Sequence, residues 1–334
     1  MVPKNAILIA VLVLMCIPGA HALTVVSTTS VLWDPIQYIG GENVEVIYIA
    51  DPTICPHMQS DIIPNRIQLQ KEFISTADLF VAHNGSVDAD YVMPYVDDFM
   101  QANGYGEVAW VPLENPSMTW NTPEKAKALA SEVAGWLIEA DPSNEAAYQS
   151  GLDAYLAEID AADLTDEERE RIAGQDAVVM VWQQEPAEAW LGLNVVTIYG
   201  PEFYMGGKYT PAKVVDDIST NPEPYQNVQY VIENMQSGEM AKGLHEYLTG
   251  TAGVEAERVI FTNFPKSLPG VDSIPDVLRY NKNLVMPAEQ ATQATTAAAA
   301  ETPSTTTSAE APLGTLTVVG GVAGAALLLR GSRK

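Results

Sequence analysis

Short β-branched runs alternate with helical stretches along most of this chain, and that alternation restricts its fold more than any other feature. "LTVVSTTSVLWDPIQYIGG" reads as a strand, a Ser/Thr turn and a helix, and "NVEVIYIA" as a second strand. "SDIIPNRIQLQKEFISTA" is helical by spacing behind the cap Ser60-Asp61, "DLFVAHNG" is a third strand and "GEVAWVPL" a fourth. After a helical middle the pattern resumes with the strands "DAVVMVW", "NVVTIYG", "VQYVIEN" and "ERVIFTN", separated by helical "PAEAWLG", "TPAKVVDDI" and "MAKGLHEYL". Strands that alternate with helices build parallel sheets, with ligand loops at the strand C-termini. The expected fold class is α/β: two Rossmann-like lobes joined by a helical backbone, with a ligand cleft between them.

The middle segment is helical on its own signals. "TPEKAKALASEVAGWLIEADP" opens with a Thr cap and a proline in the first turn. "NEAAYQSGLDAYLAEIDAADL" places Tyr148, Leu152, Tyr155, Leu156 and Ile159 on one stripe.

The ends of the chain read differently. Lys4, the apolar "AILIAVLVLMCI" and "AHA" at residues 20–22 form a secretory signal pattern, with cleavage expected before Leu23. Cys16 does not open a lipoprotein, since Met15 stands where Gly or Ala is required. Residues 286–312 collapse to Ala, Thr, Ser, Gln, Glu and Pro, a composition that stays extended and offers sites for O-glycosylation. "LGTLTVVGGVAGAALLL" then reads as a transmembrane anchor followed by the basic "RGSRK". The expected organisation is a signal peptide over 1–22, an N-terminal lobe over 23–140 and a linking helical segment over 141–173. A C-terminal lobe over 174–285, a stalk over 286–312, an anchor over 313–329 and a cytoplasmic tail over 330–334 follow. This places the protein outside the cell on a membrane tether, in the manner of archaeal surface proteins.

Charge excludes one class of partner. The chain has 17 basic and 43 acidic residues, a formal net charge of −26. Such a surface repels nucleic acid and gathers cations, and it also keeps a monomer soluble in a salty medium. Only Cys55 survives cleavage, so no intrachain disulfide forms. With His57, His83 and His245 as the mature histidines, and no G-x-S-x-G or H-E-x-x-H, an enzyme is not expected.

In order, "VVSTTSVLWDPIQYIGGENVEVIYI", "CPHMQSDIIPNRI", "ADLFVAHNG", "NPSMTWNTPEKA", "VVMVWQQEPAEAWLGLNVV", "YVIENMQSGEMAKGL" and "VIFTNFP" resemble the solute-binding proteins of zinc/manganese-type metal ABC transporters. The resemblance runs from about Leu23 to Val285. It implies capture of a divalent metal such as Zn or Mn, or a small metal complex, for an ABC permease and its ATPase. The alternative on the same fold is a surface adhesin or sensor that no longer serves transport.

The family holds its metal with four side chains, two from each lobe. His57 falls on the first position, Ser117 on the second, Gln183 on the third and Asn263 on the fourth. Three positions have thereby become neutral, which disfavours tight zinc binding. Cys55, Met58 and Met118 offer a soft set with His57 that suits Cu(I), unless they are packing residues. His83, at the end of the third strand, either leans into the same cleft or is a hydrogen-bonded strand end. A chelated metal bound through hydrogen bonds is the remaining option.

Overall fold

The computed structural model describes residues 21–286, apart from residue 84 and residues 116–119. The signal segment through residue 20, the stalk beyond Met286, the anchor and the tail lie outside the described residues.

All eight expected strands form. In the N-terminal lobe they are β1 (Leu23–Ser27), β2 (Val44–Tyr48), β3 (Leu79–Ala82) and β4 (Trp110–Pro112), in the order β2-β1-β3-β4. In the C-terminal lobe β5 (Asp176–Met180), β6 (Asn194–Tyr199), β7 (Val228–Asn234) and β8 (Glu257–Phe261) repeat that order as β6-β5-β7-β8. Every pairing is parallel. Helical crossovers cover the faces, so strands such as Val178–Met180 are buried on both sides.

The two sheets share a core. Val25 of β1, Val179 of β5 and Phe261 of β8 belong to one buried cluster, filled between them by Leu129, Tyr148, Tyr155 and Leu278. Those fillers come from the helices Pro123–Ala140, Glu145–Ala162 and Ile274–Leu284. Thr122 caps the first of these by accepting from the amide of Lys125 at 3.3 Å, as its position ahead of Pro123 predicts. Each lobe also keeps an outer cluster, Val26, Ile63 and Phe80 in one and Val178, Val231 and Leu244 in the other.

Two details fix how the helices cross. Gly151 sits where a Cβ would lie 2.4 Å from the carbonyl oxygen of Ile39, so only glycine allows the helix Ser30–Gly40 to approach this closely. Beside this crossing the buried Asp34 accepts from Tyr155 Oη at 2.5 Å and from the amide of Ile274 at 2.6 Å. One carboxyl group thus joins three helices. Burial raises its pKa to about 7, against the lowering effect of those two donors.

The membrane-tethered location expected from residues 313–329 finds no support in the structure, and those residues themselves lie outside the described ones. Among the described residues no helix is long and apolar enough to cross a membrane. The two 18-residue helices carry Lys125, Lys127 and Glu132, and Asp153 and Glu158, charges that a hydrocarbon layer penalises. Their apolar faces are instead buried in the shared core.

Candidate functional site

The loops that follow the strand C-termini meet at the seam between the lobes. The first, Ala50–Gln59, is organised by the fully buried Gln59. Its Oε1 accepts from the amide of Asp51 at 2.7 Å, and its Nε2 donates to the carbonyls of Asp51 and Ile54 at 2.8 and 2.6 Å. This leaves Pro56–Met58 as a short 3-10 turn that presents His57.

The surroundings of His57 are aromatic. Its Nδ1 lies 2.9 Å from Cys55 Sγ. Its ring meets Tyr91 edge-on at 6.1 Å and Phe203 of the other lobe at 6.0 Å, and Phe203 lies 6.3 Å from Trp182. Burial pushes the Cys55 thiol up, which works against the thiolate that a soft ion requires. Met58 is 52% exposed beside this pair. Among the described residues no group of three or more His, Cys, Asp or Glu side chains is placed to hold a metal ion.

Gln183 and Asn263 meet directly. Gln183, in the turn after β5, is fully buried and donates through Nε2 to Asn263 Oδ1 at 2.6 Å. Asn121 Nδ2 donates to the same oxygen at 3.5 Å and to the carbonyl of Trp182 at 3.4 Å. The Trp120 indole donates to the carbonyl of Asn263 at 2.6 Å. Ser117 and Met118 lie outside the described residues.

His83 does not join His57. Its ring packs on Trp120 at 4.7 Å, and its backbone amide donates to Asp88 Oδ2 at 3.0 Å. Burial lowers its pKa, opposed only in part by Asp88, whose carboxylate oxygen is 4.0 Å from Nδ1. A neutral imidazole results.

A residue that sequence reasoning missed ties the seam together. Gln236, just past β7, is buried and donates through Nε2 to the carbonyl of Pro52 at 3.0 Å and to Thr262 Oγ1 at 2.9 Å. Its Oε1 accepts from the amide of Asn263 at 3.2 Å, and its carbonyl accepts from the amide of Cys55 at 3.3 Å. One amide side chain therefore connects the His57 loop to the Asn263 loop. Nothing in "ENMQSG" marks Gln236 beforehand, because a neutral amide carries no charge or periodicity signal. Asn121 escaped notice for the same reason.

These residues do not fit a bare Zn ion. Of the mapped positions, one is an imidazole already bonded to a thiol and two are amides bonded to each other. Neutral amide oxygens are weak partners for a borderline-soft dication. The seam suits hydrogen bonding better than direct coordination.

A family model gives the family. The model of ZnuA, described as zinc-uptake complex component A periplasmic, matches residues 25–282. Three similar solved structures share the fold. A Mn-bound periplasmic metal binding protein from candidatus liberibacter asiaticus is 14% identical, with a TM-score of 0.57, over 78% of this chain and 97% of its own. A ZnuA crystal structure is 19% identical, with a TM-score of 0.54, over 79% and 100%. The metal-dependent lipoprotein YcdH from Bacillus subtilis is 18% identical, with a TM-score of 0.54, over 78% and 97%. None of the curated proteins matches.

Proposed function

This chain belongs to the family of zinc-uptake complex component A periplasmic proteins, and from that premise we propose that it captures a metal species at the seam between its lobes. It is the extracytoplasmic binding component of a metal-type ABC transporter and delivers to a permease driven by an ATPase. It is a transport component rather than an enzyme, and it acts as a monomer. The boundaries 23–140, 141–173 and 174–285 divide it into capturing lobes and their helical link.

Similar solved structures with bound Mn or Cd support a divalent metal as the cargo's core. The observation that carries the finer reading is the bond between Gln183 and Asn263. With those positions paired as neutral amides, we assign the cargo as a small metal complex rather than a naked ion. Cu(I) at Cys55, His57 and Met58 is the weaker option, since the thiol is held protonated and Met58 turns outward.

A second reading, a binding module without transport, draws on the same Gln183–Asn263 pairing. Permease and ATPase genes beside this one would exclude it. Native mass spectrometry with elemental analysis, on protein purified without chelator or affinity tag, tests the main reading. A metal-bearing adduct of more than the ion's mass is expected. Protein that carries no metal after exposure to Zn(II), Mn(II) and their complexes would refute it.

A further inference from the structure

Around Trp120 and Asn263 three buried polar atoms have no partner among the described residues: His83 Nε2, Asn121 Oδ1 and Gln183 Oε1. Their residues are 6%, 4% and 0% exposed. They share one neighbourhood. Asn121 and Gln183 converge on Asn263 Oδ1, and the His83 ring rests on Trp120, whose indole bonds Asn263. Buried acceptors are nearly always paired in folded proteins, and an unpaired one forfeits its hydration with no return.

The chemistry of the three is uniform. Two are amide oxygens. The third is a ring nitrogen that accepts when Nδ1, the nitrogen nearer Asp88, carries the proton. None carries a charge, so together they form a poor inner coordination shell. They suit the outside of a cation that already wears ligands, because water or amine bound to a metal has acidified hydrogens and donates strongly. The net charge of −26 concentrates cations around the chain.

We propose that this wall recognises the outer shell of its cargo: a small cationic metal complex that keeps its own water or amine ligands and donates their hydrogens to Gln183 Oε1, Asn121 Oδ1 and His83 Nε2. This rests on the transport reading above and names the form in which the metal is taken. The shared chemistry is a small cation with hydrogen-bond donors on its surface, which an organic ammonium also has.

Hexaamminecobalt(III) separates the cases, because its ammine ligands do not exchange and only outer-shell contacts can hold it. The full chain, purified without a metal-affinity tag, is titrated calorimetrically in about 0.5 M NaCl to screen the acidic surface. One-to-one binding is expected, weakened about tenfold by Gln183→Met and by Asn121→Leu, each removing one hydrogen bond to a charged partner. Gln183→Glu keeps the shape and adds charge, so it binds at least as tightly. It also serves if either apolar variant fails a thermal-melt check for folding. Absent binding, or binding that all three substitutions leave unchanged, overturns the proposal. Methylammonium bound in place of the hexaammine overturns the metal complex as cargo. Tight Zn(II) binding with the hexaammine ignored overturns the outer-shell reading and leaves the transport reading intact. A chain that binds none of Zn(II), Mn(II) and hexaammine overturns both.

Discussion

Gln183 and Asn263 lie 80 residues apart in the chain and 2.6 Å apart in space, the amide of the first donating to the side-chain oxygen of the second. The turn after β5 and the loop after β8 bring them together. Two positions that the sequence resemblance maps onto metal ligands are here each other's partners.

Restoring charge at that pair should restore direct metal binding. Gln183→His combined with Asn263→Asp supplies an imidazole and a carboxylate at the seam. Zn(II) affinity should rise by about a hundredfold or more, since about 1.4 kcal/mol is tenfold and a strong ligand contributes more than that. Calorimetric titration of both proteins reads this directly. An unchanged affinity would mean that the mapped positions do not face one ion.

Gln236→Ala should loosen the His57 loop. It removes donors to Pro52 and Thr262 and the acceptor for Asn263, leaving buried groups unpaired at about 1–3 kcal/mol each. Hydrogen exchange at the amides of residues 51–59 should accelerate, while the strands of both sheets keep their protection. Equal acceleration throughout would point to global destabilisation.

Gly151→Ala tests the helix crossing. The added methyl meets the Ile39 carbonyl oxygen at 2.4 Å, and backbone cannot yield as a flexible side chain does. Overpacking of this kind costs about 1–3 kcal/mol, which lowers Tm by about 2–4 °C per kcal/mol in a chain of this size. A melting temperature equal to wild type would refute the close approach.

Asp34 gives stability a pH dependence. Its pKa is about 7 in the fold, against the ordinary carboxyl value of 3.8, so between these values the folded chain holds a proton that the unfolded chain has lost. Its contribution is therefore present below about pH 4 and is lost as pH rises towards 7, by up to about 1.4 kcal/mol per pH unit. Asp34→Asn should flatten that part of the profile in denaturant titrations across pH 4–7. A profile unchanged by the substitution would assign the slope to other carboxylates.

The sequence by itself determined the local elements. β-branched runs placed all eight strands, Thr122 was read as the cap of the helix it precedes, and the stripe of Tyr148, Leu152 and Tyr155 predicted a buried helix face. These signals are local, because backbone propensity and side-chain period act within one element. The order β2-β1-β3-β4 and its repeat in the second lobe were decided by tertiary structure, since any β-branched run can neighbour any other until the crossovers pack.

The site divides in the same way. His57 was legible because an imidazole in a loop after a strand is chemically distinctive. The pairing of Gln183 with Asn263, the clasp at Gln236 and the turn of His83 towards Trp120 depend on distances between loops far apart in the chain. A neutral amide reads identically at a surface, in a core or at a seam. Only its surroundings in the fold decide which of these it serves, because burial is what makes its hydrogen bonds obligatory.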